Sequence, residues 1–367
     1  MRRSVFSGLA LAAALLAINA AHAQAPAPGA SVSLYGFLKA DVEQVSASGL
    51  HGPLRRLSNN LSVLGFRASE DLGAGWSAWA QIETNVKVDT GDGPWGGRNT
   101  GVGLRGPWGE LLLGQWETPL RFVSVYAIDP FTAGIFASNS ILGNGFATAA
   151  NGLAPASFDR RQPNLVQYSS PTLQGFSARL AYAMPEEKTA TVAPDLISTL
   201  VSYNEGPLYL AWGHERHRDY LAAGSLDNAH RLGAALTLGN TRLRATWERL
   251  HYEPAPGRVL NRQAWQLALT HEMGAGQWRA SLVRGQAASG NASQGVGGIG
   301  APGTDSGARQ LSLGYGHSLS KRSELWAAWT SLHNGATAAY KLSANPINGL
   351  KPGSSQRGLG LGITHKF

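Results

Sequence analysis

The chain has 367 residues, no cysteine, 15% charged side chains and a formal net charge of +8. Its glycine and tryptophan content and near-zero mean hydropathy exclude a disordered chain and a helical membrane protein, and the missing cysteines exclude a disulfide-stapled fold. The length would usually suggest two or three domains, but large β-barrels and sandwiches reach it as one unit.

Residues 1–23 form a separate segment. Arg2 and Arg3 precede an apolar run, and Ala21-His22-Ala23 fits an A-x-A cleavage site. This order is typical of a secretory signal peptide, so we predict that it is cleaved and that residues 24–367 form the mature domain, with 29 basic and 23 acidic side chains. No later stretch has the roughly 18 apolar residues of a transmembrane helix. The mature chain is therefore either a soluble exported β protein or an outer-membrane barrel.

Sixteen segments of alternating apolar and polar residues follow in chain order. They cover 31–43, 60–69, 75–88, 100–106, 110–116, 164–170, 175–184, 196–204, 207–215, 229–239, 241–252, 262–272, 277–285, 308–318, 324–333 and 358–367. In 277–285, for example, Trp278, Ala280 and Leu282 alternate with polar residues. Most are close to the roughly 9–11 residues with which a tilted strand crosses a bilayer.

The connections between these segments alternate between short and long. Short ones such as NEGP and EMGAG are built around the turn-forming residues Gly, Asn and Pro. The long ones cover 89–99, 117–163, 185–195, 216–228, 253–261, 286–307 and 334–356. A sandwich has no reason for this rhythm, whereas an outer-membrane barrel has short periplasmic turns and long outer loops. We therefore predict an all-β fold, a sixteen-stranded antiparallel up-and-down transmembrane β-barrel whose last strand pairs with its first.

Nine segments in the same order resemble the Gram-negative porins of the beta-proteobacterial and neisserial family. They are SVSLYGFLKADVE, LGFRASEDLGAG, GRNTGVGLRGPWGELLLGQWETPL, IDPFTAG, NLVQYSSPTLQGFS, VSYNEGPL, GAGQWRASL, QLSLGYGHSLSKRSELWAAW and GITHKF. The resemblance implies a homotrimer of water-filled channels among outer-membrane lipid and lipopolysaccharide, without a cofactor or metal. It also implies insertion by the barrel assembly machinery, which would read the terminal Phe367.

In that family the third long loop folds into the barrel and narrows it. Segment 117–163 matches this loop, and its 47 residues are rich in Ala, Gly, Phe and Ile, as suits a loop packed in a lumen. The resemblance assigns Asp129 to the acidic side of the constriction, while a turn residue before Pro130 is the alternative role. Glu117 and Asp159 are candidates to extend that acidic side.

The resemblance also implies a basic wall opposite the loop. Arg98 and Arg161 match basic positions of the family, and alternation alone places further arginines on the inward face. We assign Arg67, Arg105 and Arg179 to the constriction and Arg231, Arg242, Arg244, Arg262 and Arg279 to the pore wall. Val63 and Gln115 stand where the family often carries arginine, which predicts a milder charge bias. Each arginine could alternatively be an ordinary wall charge.

These charges predict a general diffusion porin that passes small hydrophilic solutes and ions with a weak anion preference. The rival class is an adhesin or binding module without a conducting pore. We expect no enzyme, because His214-Glu-Arg-His217 is one residue short of the H-E-x-x-H zinc spacing and is expected at a solvated rim. We expect no nucleic-acid binding either, because the arginines form no continuous patch.

Overall fold

The computed structural model describes residues 29–93, 95–125, 127–144, 157–186 and 188–367, so the predicted signal peptide lies outside it. Within these ranges the chain forms eighteen β-strands. The first nine are β1 (Ala30–Ala47), β2 (Leu54–Ser58), β3 (Val63–Gly73), β4 (Trp76–Asn85), β5 (Thr100–Gly106), β6 (Gly109–Glu117), β7 (Arg161–Ser169), β8 (Phe176–Ala183) and β9 (Asp195–Glu205). The others are β10 (Leu208–Arg218), β11 (Leu226–Leu238), β12 (Thr241–Ala255), β13 (Arg258–Met273), β14 (Gly276–Gly285), β15 (Ser289–Gly290), β16 (Ala308–Ser318), β17 (Ser323–Asn334) and β18 (Gln356–Lys366).

Sixteen of these strands close into an antiparallel barrel, which confirms the predicted fold. The short strands β2 and β15 are additions that pair with β1 and β13. The barrel closes where β1 pairs with β18 from Phe37 opposite Lys366 to Ala47 opposite Gln356. The backbone of Phe367 continues this ladder by exchanging hydrogen bonds of 3.1 and 3.3 Å with Gly36. The patterned C-terminus is thus held in the wall, and the last strand is paired with the first strand from Gly36 to Ala47.

The two faces of the wall follow the predicted alternation. On β12, the side chains of Leu243 and Trp247 are exposed on the outer face. Thr246 and Glu248 belong to the alternate positions, and their side chains are buried inside the barrel. Aromatic pairs such as Trp278 with Tyr315 lie on the outer face near the tight turns. Among the described residues, no helix is both long and apolar enough to cross a membrane.

One predicted long connection is instead a tight hairpin. Sequence analysis predicts an outer loop at 253–261, but β12 ends at Ala255 and β13 begins at Arg258. The register between these strands shifts between Tyr252 and Ala255, around Pro254. A proline lacks the N–H that a ladder requires, so a strand can carry it at such an irregularity. The expectation of a loop here was wrong because the bulge accommodates the proline.

The predicted inward loop does fold into the barrel. It begins with α1 (Pro119–Phe122) and continues through single 3₁₀ turns at Ser138–Ser140 and Leu142–Asn144. Its apolar side chains Leu120, Ile135 and Ile141 belong to the main buried cluster together with inward residues of the wall. The barrel therefore owes its apolar core to the loop that packs inside it.

Small residues on the inner wall make room for this loop. A Cβ added to Gly358 of β18 would lie 2.5 Å from Cδ1 of Ile135, and one added to Gly233 of β11 would lie 3.0 Å from Cγ1 of Val123. Any side chain at these positions would collide with the loop or push it into the lumen. This contact explains why the inward phase of the terminal strand is glycine rather than polar.

Candidate pore constriction

A cavity of about 880 Å³ lies between the inward loop and the wall around β1, β3 and β4. Its lining includes Val125, Thr132 and Asn139 from the loop and Tyr35 and Val63 from the wall. Eight charged residues of the described chain line it, five basic and three acidic: Lys87, Arg98, Arg121, Arg161 and Lys366, with Glu83, Asp89 and Glu117. Of the predicted constriction residues, Arg98, Arg161 and Glu117 meet here.

Glu117 is the centre of the charge network on the loop side. It is 0% exposed, and its carboxylate accepts from both Arg121 and Arg161. Glu117 ends β6 and Arg161 begins β7, and the two residues are register partners in the sheet. Arg121 lies on α1, four residues after Glu117, and its Nη1 donates to the Glu117 carboxylate. The pairing therefore fastens the two ends of the loop together.

Asp159 extends this network behind the cavity. Its carboxylate accepts from Arg121 Nε at 2.7 Å and from Asn139 Nδ2 at 2.9 Å. Burial acts to raise the pKa of Asp159, but the Arg121 guanidinium and the Asn139 amide hold that pKa below its usual value. Asp159 is thus a charged anchor of the loop, placed beneath the lining rather than in it.

Arg98 forms the basic side of the opposite wall. Its Nε donates to Glu83 at 2.6 Å and its Nη1 donates to Asn85 at 3.2 Å. The Tyr35 hydroxyl donates to the second oxygen of Glu83 at 3.1 Å. Gln115, which stands where the family often has arginine, donates to the backbone carbonyl of Arg98 at 3.0 Å. Among the described residues, the arginines of the neck are therefore all paired with carboxylates, Arg98 with Glu83 and both Arg121 and Arg161 with Glu117.

Asp129 lies inside the loop and is almost fully buried. One carboxylate oxygen accepts from the backbone of Phe131 at 3.0 Å, and the other accepts from the backbone and hydroxyl of Ser138 at 2.6 and 2.5 Å. Burial raises the pKa of Asp129, against the lowering effect of these donors. This geometry matches the turn role that the sequence left open, and Asp129 is not among the residues that line the cavity.

Two of the predicted wall arginines do not face open lumen. Arg231 and Arg262 point inward as predicted, but each is only 1% exposed because the loop covers them. Glu248 lies between them, 2.9 Å from Arg231 Nε and 2.8 Å from Arg262 Nη1, and it also accepts from the backbone of Gly143 at 3.0 Å. Arg262 Nη2 donates to the carbonyl of Ile141 at 2.8 Å. These residues hold the loop against the wall instead of presenting charge to solutes.

The remaining predicted arginines spread along the inner wall away from the neck. Arg105 pairs with Glu110 and Arg279 with Glu324, and the guanidinium of Arg179 stacks 4.1 Å from the Phe122 ring. In contrast, three inward arginines have no carboxylate within ion-pair distance among the described residues. They are Arg67, Arg242 and Arg244. The guanidinium of Arg67 donates to Gln81, and that of Arg244 donates to Thr270.

Sequence reasoning missed Glu83, Lys87 and Arg121 as lining residues. No spacing rule could have found Arg121, because Glu117 ends strand β6 and Arg121 lies on the short helix α1 that follows. The expected solvated rim at His214–His217 was wrong for His217, which is fully buried. Its ring stacks 4.2 Å from Phe158 of the loop, and its Nε2 lies 2.7 Å from Glu215. No described cluster of His, Asp or Glu is arranged to hold a metal ion.

Comparisons with known proteins agree with this architecture. A family model described as Gram-negative porin matches residues 10–337. Outer membrane porin protein 32 of Delftia acidovorans is 28% identical over 383 residues, covering 97% of this chain and 98% of the relative. Major outer membrane protein P.IB of Neisseria gonorrhoeae is 28% identical over 161 residues, or 42% of this chain and 43% of the relative. The solved anion-selective porin from Comamonas acidovorans has a TM-score of 0.79 at 25% identity, covering 92% of this chain and all of its own.

Proposed function

The chain belongs to the Gram-negative porin family and is a β-barrel protein of the outer membrane, and from this premise we propose that it is a general diffusion pore with a weak anion preference. Members of this family are channels rather than enzymes. Small hydrophilic solutes and ions would cross the barrel down their gradients, and the cavity beside loop 117–163 would set the size limit. We propose no catalytic activity for this chain.

The anion preference rests on one observation, the lumen arginines without acidic partners. In the neck, Arg98 is paired with Glu83, and Arg161 is paired with Glu117. Arg67, Arg242 and Arg244 carry inward positive charge and form no ion pair within 4.0 Å among the described residues. The summed field of the lumen then favours anions modestly. The anion selectivity stated for the related Comamonas acidovorans porin supports the same sign.

The assembly is part of the proposal. Residues 1–23 would be removed on export, and residues 24–367 would form one barrel with 117–163 as its constriction loop. Three copies would associate among outer-membrane lipid and lipopolysaccharide after insertion by the barrel assembly machinery. The mass of the detergent-solubilised protein tests the trimer, and a single-copy mass would contradict it.

Liposome swelling tests the diffusion role directly. Proteoliposomes are diluted into isotonic sugars of increasing size, with heat-denatured protein as the control. We expect swelling rates that fall steeply with solute size, because passage is limited by the neck. Folded protein that gives no swelling with any sugar or salt would contradict the porin role and favour the binding-module alternative.

A further inference from the structure

Two arginines face each other on the outside of the barrel. Arg284 of β14 and Arg309 of β16 are register partners on the outward phase near the loop end of the wall. Both side chains are exposed, and neither has an ion pair or hydrogen bond among the described residues. Like charges directly opposite each other in a sheet are destabilising. An anion from outside the chain that bound both guanidiniums would relieve this repulsion.

The surroundings of this pair form a small basic pocket. A cavity of about 730 Å³ is lined by Arg284, Arg309 and His333 together with the loop residues Thr304 and Asp305. His333 is the register partner of Arg309 on β17, and its ring nitrogens lie 3.2 Å from the hydroxyls of Ser331 and Ser355. Asp305 is the acidic residue of the lining, and it forms no ion pair with either arginine within 4.0 Å. The pocket keeps an excess of positive charge.

Below the pocket the outer surface is apolar. Leu282 of β14 also lines an adjoining groove of about 540 Å³, together with Leu267, Ala280 and Leu311. Further toward the tight turns, Trp278 and Tyr315 pack with ring centroids 4.8 Å apart. From the loop end to the turn end, the face is thus cationic, then aliphatic, then aromatic. This is the profile of a surface that holds an amphiphile with an anionic head and apolar chains.

We propose that Arg284 and Arg309 bind the phosphate of a lipid in the outer leaflet, with its acyl chains lying in the groove beside Leu282 and Leu311. Arginine forks match phosphate oxygens in bidentate geometry, and two opposed guanidiniums lose their mutual repulsion when they share one phosphate group. The long loops place this end of the barrel at the outer leaflet. The proposal rests on the outer-membrane location but not on ion selectivity, because both side chains point away from the lumen.

Native mass spectrometry of the detergent-solubilised mature protein tests this site with two probes, diphosphorylated lipid A and chemically dephosphorylated lipid A. We expect wild-type protein to bind the phosphorylated form about tenfold more tightly, and the R284Q/R309Q variant to lose most of that preference. R218Q is the matched control. Arg218 is also an outward arginine near the loop end, but it lies 3.7 Å from Asp195, so its loss should leave lipid binding unchanged.

Three results would overturn the proposal. Equal binding of both lipids by the wild type would show that the phosphate is not recognised. Displacement of lipid A by millimolar inorganic phosphate would assign the pocket to a free anion. A loss of oligomer mass in R284Q/R309Q with unchanged lipid binding would assign it to a subunit contact. Conductance measured in parallel should not change in R284Q/R309Q, and this separates the lipid test from the test of the pore. If R284Q/R309Q does not fold, R284K/R309K is used in its place, and we expect it to show an intermediate preference for the phosphorylated lipid.

Discussion

At the scale of single residues, Glu117 determines how much positive charge the neck presents. Both Arg121 and Arg161 share its buried carboxylate. In Glu117→Gln we expect the reversal potential under a KCl gradient to move further toward the chloride side, because two guanidiniums lose their neutralising partner. Removing one partner of a buried pair should also destabilise the fold by about 3–5 kcal/mol.

Glu110→Gln is the matched control for this change. Glu110 lies on the same strand as Glu117, at the opposite end of that strand. It pairs with Arg105, whose side chain is 58% exposed. We expect this variant to shift selectivity less. A larger shift in Glu110→Gln than in Glu117→Gln would show that the wall near the turns, not the neck, controls the current.

Gly358 tests the packing of the loop on the wall. A Cβ there would meet Cδ1 of Ile135 at 2.5 Å, with every other atom at 3.5 Å or more. Gly358→Ala should therefore destabilise the protein by about 1–3 kcal/mol. Because valine lacks this Cδ1, Gly358→Ala combined with Ile135→Val should recover part of the loss in urea unfolding of the detergent-solubilised protein. Additive losses in the double variant would contradict the assigned contact.

Sequence alternation predicted the inward direction of Arg231 and Arg262 but not their burial. Alternation reports only which face of a strand a residue occupies. Whether that face meets water depends on where the loop lies, and this is decided by contacts such as Ile141 with Arg262, 121 positions apart in the chain. For Asp129, the following proline suggested a turn, and the structure has that turn.

At the scale of elements, the loop 117–163 is held by its hydrogen bonds to buried wall residues. Glu248 connects Arg231, Arg262 and the backbone of Gly143. In Glu248→Ala we expect noisier single-channel currents and a lower unfolding midpoint, because two buried guanidiniums and a loop N–H lose their partner. Thr246→Val is the control, since this neighbouring inward hydroxyl has no hydrogen-bond partner. Quiet, wild-type-like channels in Glu248→Ala would show that apolar packing alone holds the loop.

The strands were largely predictable from sequence, whereas their outer ends were not. Most of the tight turns carry glycine, proline or asparagine and were recognised by type. At the loop end, β12 continues to Ala255 and β13 begins at Arg258. The irregularity near Pro254 lets the ladder extend through residues whose composition predicts a loop. Local composition does not show such a bulge, since it depends on the partner strand.

At the scale of the whole molecule, closure of the barrel places many inward charges around one aqueous path. Their effect on ions should be screened by salt, because the Debye length falls from about 10 Å at 0.1 M to about 3 Å at 1 M. We expect the anion preference to weaken over this range in reversal-potential measurements. A preference independent of salt would indicate a specific binding site in the neck instead of a diffuse field.

The most direct test of this account is the current of the purified, folded protein in a planar bilayer under a KCl gradient. We expect open channels with a reversal potential modestly displaced toward the chloride equilibrium, because Arg67, Arg242 and Arg244 lack acidic partners. A displacement toward the potassium equilibrium would contradict the assigned sign of the lumen. Folded protein without any conductance would contradict the pore itself.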